Sequence, residues 1–304
     1  RRSDLRPVPR EVAPLTEAAG RGRSVPPAER VRARLAERAG PELARAMPAG
    51  YQRMGRVLLV RLPERLRPYW ADIGAAWQRE IGVATVLTRV GPVHGEARRP
   101  DVEVIAGGAT ETEVVEHGVH WRFDAARIMF AAGNRTERVR AGRRVAPGER
   151  VLDLFAGIGY FSLPAARAHP TVRVRAIEQN PEAYRYLVEN ARINGVADRI
   201  ATTLGDNRAV ELPAGAFDRV FLGYLPSALP WVPIAVRAAR PDGAELHIHT
   251  VADVRGGAET SLRDLAGRLG VARTDLEGRA QVRRVKPYGP GRDHLVIDLR
   301  TRTG

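Results

Sequence analysis

The sequence predicts an α/β protein: a mostly parallel sheet ending in an antiparallel C-terminal hairpin and preceded by a small α+β domain. Three observations support this. From about Arg143 onward, β-branched apolar runs alternate with amphipathic ones, an order that buries a parallel sheet between two helical layers. The first of these runs ends in an acid and a glycine-punctuated turn, Asp153-Leu-Phe-Ala-Gly157-Ile-Gly159. Ligands bind at this position in doubly wound sheets. The chain closes with AQVRRVKPYGPGRDHLVIDLR, two strand-like runs around a Pro-Gly turn.

Each element follows from local signals. Residues 1–45 read as a basic arm rich in Arg, Pro, Ala and Glu. Within the arm, PPAERVRARLAERAG has Pro26 and Pro27 at its start and Gly40 after its end, the punctuation of one helix. The rest of the arm lacks core-forming periodicity and is expected to be partly disordered. Residues 46–115 form the small domain. There, RMGRVLLVRLP (Arg53 to Pro63) reads as one buried strand ended by proline. YWADIGAAWQREIG has helical apolar spacing, VATVLTRV is β-branched, and DVEVIAG alternates.

Residues 116–304 form the large domain. TETEVVEHGVHWRFD alternates around a His117-Gly118 turn and leads into it. The strand candidates RVLDLFA, VRVRAIE, RIATTLGD, FDRVFLGYL and GAELHIHTV follow, with helices between them. PEAYRYLVENARING is the clearest helix, with Pro181 in its first turn and Gly195 stopping it. The chain shows no internal repeat.

Composition narrows the function. The 304 residues, 44% hydrophobic and 28% charged, suffice for a substantial core. The chain has no cysteine, which excludes disulfides, thiolate catalysis and cysteine-bound metals. No apolar run approaches the ~18 residues of a membrane helix. RRSDLRPVPREVAPL also lacks the apolar centre of a signal peptide, so a cytoplasmic protein without a membrane partner is expected. A formal net charge of +14 suits a polyanionic partner such as nucleic acid. Against this, Lys286 is the only lysine among 49 basic residues. An arginine- and alanine-rich chain also reflects a GC-rich genome, and a solvated basic surface is the alternative.

The glycine loop is not a dinucleotide fingerprint. After Gly159 come Tyr160, Phe161 and Ser162, so the third glycine of G-x-G-x-x-G is missing. The acid at Asp153 would also repel phosphate. Glu178 ends the second strand, where a carboxylate takes both hydroxyls of a ribose, and Asp206 ends the third, within reach of an adenine amino group. Three acids closing successive strands beside a glycine loop describe a site for S-adenosylmethionine. The alternative is that they cap helices. No metal is expected. His247 and His249 alternate on one strand face without an evident third ligand, and are read as structural or substrate-facing. Trp231 either stacks a base or packs in the core, and RRVKPYG either meets phosphates or forms a solvated hairpin.

These residues resemble a known family. LDLFAGIGYFSLPAA, AIEQNPEAYRYLVENARING and the following GD are similar to a Rossmann-like class I S-adenosylmethionine-dependent methyltransferase fold. HGVHWRFDAARIMFAAGNRTERVR and RVKPYGPGRDHLVIDL are similar to one particular family. It holds the archaeal and eukaryotic tRNA guanine-37 N1-methyltransferases and their sister, the wybutosine-synthesising aminocarboxypropyltransferase. The likeness runs from about Tyr51 to Leu299 and leaves the N-terminal arm uncovered.

Two departures from the methyltransferase branch set the expected reaction. Where that branch has an Asn-Pro-Pro type motif, this chain reads Leu222-Gly223-Tyr224-Leu225-Pro226-Ser227. Where it reads F-x-P-R-L, this chain has MFAAGNRTER. The resemblance therefore implies transfer of the 3-amino-3-carboxypropyl group to a tricyclic guanosine derivative at position 37 of tRNA, releasing methylthioadenosine. A peptide or small natural product as acceptor, or guanine-37 methylation, are the alternatives. The resemblance assigns the cofactor to Phe130, Asp153, Phe155, Gly157, Gly159, Glu178, Gln179, Asn180, Asp206, Asn207 and Gly223. Arg127 and Arg138 are the candidates for the carboxylate of the transferred tail, and Asn134 and Tyr224 for orienting it. Glu137 is the candidate base, unless it forms a helix-face ion pair with Arg138 or Arg140.

Overall fold

The computed structural model describes residues 25–92, 95 and 98–301. The first part of the expected basic arm, residues 1–24, lies outside the described residues. The remainder of that arm belongs to the small domain. Helix α1 (Pro27–Ala39) starts at proline and is followed by Gly40 at a φ of +87°. Its Val31 and Leu35 enter the same apolar cluster as Leu58, Ile73, Trp77 and Val86. Arg30 and Arg34 reach across to Glu80. After α2 (Pro41–Arg45) come β1 (Tyr51–Met54), β2 (Val57–Val60), α3 (Trp70–Ile81), β3 (Thr85–Arg89) and β4 (Val102–Ala106). They form a sheet in the order β1-β2-β3-β4, parallel only between β2 and β3.

The run expected as one strand, Arg53 to Pro63, is a tight hairpin instead. Gly55, at a φ of +56°, turns the chain so that Met54 pairs with Val57. A Cβ at Gly55 would strike the Glu113 carbonyl, so close packing against the next element enforces the turn. Gly55 and Arg56 interrupt the apolar run locally, but the contact with Glu113 lies far along the chain.

The large domain begins with the hairpin β5 (Glu111–Glu116) and β6 (Val119–Asp124), turning at His117 and Gly118, both at positive φ. There follow α4 (Arg135–Arg143), β7 (Arg150–Asp153), α5 (Ser162–Ala168), β8 (Arg173–Glu178), α6 (Pro181–Ile193) and β9 (Ile200–Leu204). The chain continues through β10 (Arg219–Leu222), α7 (Val232–Ala238), β11 (Glu245–Asp253), α8 (Gly257–Leu269), β12 (Ala280–Gly289) and β13 (Arg292–Arg300). The seven strands lie in the order β12-β13-β11-β10-β7-β8-β9, and only β12 and β13 form antiparallel pairs. Alternate residues serve opposite faces: Val151 and Phe221 join one core with α5 and α6, while Leu152, Val220 and Leu222 join the other with α7 and α8. Such double burial is why the strands read as continuous apolar runs. Strand order reverses beside β7, which opens a crevice at the carboxyl ends of β7 and β10. Among the described residues no helix is long and apolar enough to cross a membrane.

Two asparagines of α6 complete the outer edge of β6. The Asn190 amide accepts from Arg122 N at 2.8 Å and donates to Arg122 O and Ile158 O, both at 3.1 Å. Asn194 makes the same pair of bonds to His120. Side chains thus supply the ladder that a neighbouring strand would otherwise provide, and they also anchor the glycine loop at Ile158. Replacing Asn190 with alanine removes three bonds and leaves the buried Ile158 carbonyl without this donor, at a cost of about 1–3 kcal/mol. The expected outcome of Asn190→Ala is a melting temperature several degrees lower by calorimetry; an unchanged value would mean that water replaces the amide.

Candidate active site

The loop after β7 is fixed before any ligand arrives. Leu154 N donates to Phe221 O of β10 and Ala156 N to Ile177 O of β8, so the loop continues the sheet. Gly157 and Gly159 adopt φ values of +55° and +103°. A Cβ on Gly159 would lie 2.6 Å from Leu163. Asp153 is fully buried; it accepts from Ser162 Oγ at 2.7 Å and from Phe155 N at 3.2 Å. Its carboxyl therefore holds the loop onto α5, and burial pushes its pKa up to about 6.

Glu178, at the end of β8, faces the crevice. Its two oxygens accept from Gly157 N and Asn180 N, each at 2.7 Å. Burial raises its pKa while these backbone donors oppose the rise. Asn180 caps α6, its Oδ1 accepting from Glu182 N at 3.0 Å. Asn207 ties the loop after β9 to Leu154 O at 2.6 Å. Phe155 stacks on Tyr224 at a centroid distance of 5.2 Å, with Trp231 edge-on to it at 5.1 Å. Trp231 is thus part of an aromatic wall.

Glu178, Asn180, Asn207, Phe155 and Tyr224 line one cavity together with Asn134, Arg138, Gln179 and Gly223, and Trp231 backs it from the core. Ten of the residues anticipated from the sequence thereby meet there: Asn134, Arg138, Phe155, Gly157, Glu178, Gln179, Asn180, Asn207, Gly223 and Tyr224. Six stand elsewhere. Asp153 and Gly159 support the loop from behind. Asp206 is exposed and paired with Arg208 at 2.9 Å. Arg127 points outward to Glu182 and Asp124. Phe130 packs flat on Phe123 and lies under the Arg138 guanidinium. Glu137 is fully buried behind the wall, between His247, Arg140 and Arg283. The alternative ion pair with Arg140 is therefore present.

The cavity also holds Arg98 and Met129, which sequence reasoning passed over, and His249, Lys286 and Tyr288, which it had not assigned to the cofactor. Arg98 belongs to the small domain and donates to Leu225 O at 2.7 Å. Lys286 arrives on the C-terminal hairpin; burial, then the like charges of Arg138 and Arg98, lower its pKa. The sequence had signalled it only through the RRVKPYG run, read as meeting phosphates or forming a solvated hairpin. His294 on β13 places its Nε2 2.7 Å from His249 Nδ1, a neighbour that strand spacing within β11 could not reveal. Among the described residues no group of three or more acidic or histidine side chains is arranged to hold a metal.

The residues present fit S-adenosylmethionine. Glu178 offers its remaining lone pairs to ribose hydroxyls, and the aromatic wall offers a face to adenine. Loop amides that would cradle a pyrophosphate are already spent on the sheet and on Glu178. At the other end, Asn134 Oδ1 is buried without a partner, a vacant acceptor for an ammonium. Arg98, Arg138 and Lys286 there suit a carboxylate.

Fold and site together define a class I S-adenosylmethionine-dependent transferase. Residues 112–267 match the TRM5/TYW2 methyltransferase domain, and residues 31–110 match the TYW2 N-terminal domain. The chain is 38% identical over 276 residues to a tRNA(Phe) (4-demethylwyosine(37)-C(7)) aminocarboxypropyltransferase of Pyrococcus horikoshii, covering 89% of this chain and 96% of that one. It superposes on the crystal structure of P. horikoshii TYW2 in complex with MeSAdo with a TM-score of 0.75 at 32% identity, over 91% and 100% of the two chains. M. jannaschii TYW2 in complex with AdoMet gives 0.64 at 28% identity, over 84% and 100%. The chain belongs to the TYW2 family. The family's N-terminal domain begins at residue 31, within α1, so the relationship extends further toward the N-terminus than the Tyr51 limit of the resemblance.

Asp153 yields a pH prediction. Because its folded pKa of about 6 lies above the ordinary carboxyl value, its stabilising contribution is complete below about pH 4 and is lost as pH rises through 6. The loss is at most roughly 3 kcal/mol. Asp153→Asn, uncharged throughout, should therefore gain in melting temperature relative to the natural protein between pH 4.5 and 7.5. A constant difference across that range would refute the raised pKa.

Proposed function

We propose that this protein transfers the 3-amino-3-carboxypropyl group of S-adenosylmethionine to C7 of 4-demethylwyosine at position 37 of tRNA(Phe). The observation that carries the reading is the two-ended cavity: one half-buried carboxylate, Glu178, at the sheet, and a cluster of three cations with an unpartnered amide oxygen opposite. When bound, S-adenosylmethionine supplies a sulfonium whose γ-carbon the ring carbon displaces, leaving methylthioadenosine. A sulfonium has three carbons open to displacement, and the carbon aligned with the nucleophile is the one transferred.

In this reading Glu178 holds the ribose, and Phe155 and Tyr224 flank the adenine. Asn134 accepts from the ammonium of the amino-acid arm. Lys286 and Arg98 take its carboxylate, the role that the resemblance gave to Arg127. Arg138 is already committed to Glu116 and Ala131 O and acts as a fixed positive charge. Gripping the arm at its far end presents the γ-carbon to the acceptor. Alignment of this kind supplies about 7 kcal/mol or more of the lowered barrier. A tRNA acceptor is favoured over a peptide or small natural product because the relative spanning most of the chain is named for tRNA(Phe).

The test is the by-product. Incubation with S-adenosylmethionine and tRNA(Phe) bearing 4-demethylwyosine should release methylthioadenosine; S-adenosylhomocysteine would overturn the reading. Calorimetry separates the two ends of the cavity. Lys286→Met should weaken S-adenosylmethionine binding about tenfold or more, the worth of one charge-assisted hydrogen bond. It should leave methylthioadenosine, which lacks the arm, unaffected. Glu178→Ala should weaken both ligands. Equal losses for both ligands in Lys286→Met would remove the lysine from the arm's site.

A further inference from the structure

The cavity wall carries an imidazole that none of these roles uses. His249 on β11 is 1% exposed, lines the cavity, and its Nε2 has no hydrogen-bond partner. Its other nitrogen, Nδ1, lies 2.7 Å from His294 Nε2. Phe161 packs against the ring at 5.1 Å and closes that side to water. Two residues earlier on the same strand face, the His247 ring lies 4.9 Å away, edge to face.

We propose that His249 Nε2 accepts the proton released from the attacked ring carbon, and that His294 is the residue that positions it. The inference rests on the transfer reading above. As the acceptor's C7 bonds to the transferred group, C7 still bears its hydrogen and the ring carries the positive charge. The C–H bond then breaks, its electron pair returns to the ring, and the proton moves to His249 Nε2. That nitrogen has a free lone pair when the hydrogen of His249 resides on Nδ1 and is donated to His294 Nε2. Once His249 is protonated, this bond becomes charge-assisted and strengthens.

The surroundings suit a weak base. Burial, followed by the charges of His247, His294, Arg283 and Lys286, keeps the His249 pKa well below that of an ordinary imidazole. His247 is the opposite case. Burial acts to lower its pKa, but Asp298 at 2.6 Å and Glu137 at 3.1 Å outweigh burial and raise it above that of an ordinary imidazole. A proton on the carbon of a cationic ring is strongly acidic, so a weak base suffices, and it gives the proton up readily afterwards. Glu137, the base suggested by family likeness, is paired behind the wall and does not reach the cavity. Its part is to raise, together with Asp298, the pKa of His247.

Single-turnover transfer to tRNA(Phe) carrying 4-demethylwyosine, with hydrogen or deuterium at C7, tests the assignment. The expected result for His249→Gln is a rate 10²- to 10⁴-fold lower, with methylthioadenosine affinity by calorimetry within threefold of the natural protein. Proton removal should become rate-limiting in the variant, so a several-fold deuterium effect should emerge that the natural protein lacks. His294→Ala should slow turnover with the same unchanged affinity. Nitrogen NMR of the unmutated protein with methylthioadenosine bound should show His249 protonated at Nδ1 and bare at Nε2. A rate within threefold, a slowed variant without a deuterium effect, or a hydrogen on Nε2 would each overturn the proposal. Absence of methylthioadenosine from the natural protein's reaction would instead overturn the transfer reading, and the NMR result would still judge the imidazole.

Discussion

Glu178 receives the amide hydrogens of Gly157 and Asn180, each at 2.7 Å, and through them it joins the glycine loop after β7 to the start of α6. A buried carboxylate without such donors would be strongly disfavoured. Here the two backbone N–H groups provide compensation and at the same time set the loop's curvature. The loop has little freedom left, since Leu154 and Ala156 are also bonded into neighbouring strands. The cavity is therefore largely preformed, and its acidic end stands at the point where strand order reverses.

Opposite that carboxylate, the arrangement depends on a buried charge cluster. Glu137 of α4, His247 of β11 and Asp298 of β13 lie in mutual contact, and Arg140 and Arg283 complete the set. Burying so many charges is costly, and such clusters add more to the uniqueness of an arrangement than to its stability. This one locks α4 against the antiparallel end of the sheet. The β12–β13 hairpin is thereby held where Lys286 and Tyr288 enter the cavity. The nine-residue ladder between β11 and β13 holds the hairpin to the sheet, and the cluster adds a side-chain link to α4.

The small domain contributes more than a neighbouring surface. Met54, Val57 and Leu87 enter the same apolar cluster as Trp121, Phe123 and Phe130, so the two domains share a core. Thr112 ties the β1–β2 turn to β5, accepting from Arg56 N and donating to Met54 O. Arg98 follows from that rigid contact, since its guanidinium reaches the cavity rim and bonds Leu225 O across the domain boundary.

The residue order by itself determined the α/β architecture, the closing hairpin, the His117-Gly118 turn and the acid-to-glycine loop. Each is written in contiguous residues, as period-two or helical apolar spacing and as turn chemistry. The family resemblance supplied Asn180 and Phe155, whereas the same local reading pointed to Glu178 and Gly157, because a strand end and a glycine turn announce themselves along the chain. It did not separate Asp153 and Asp206 from Glu178, since all three end strands; burial behind the loop and pairing with Arg208 distinguish them. Nor did it resolve the Gly55 turn, whose cause is a carbonyl more than fifty residues away. Arg98, His249 with His294, Lys286 and the enclosure of Glu137 were decided only by tertiary structure. Each depends on segments far apart in the chain being packed against one another, and no local periodicity encodes which distant side chain will stand at hydrogen-bonding distance.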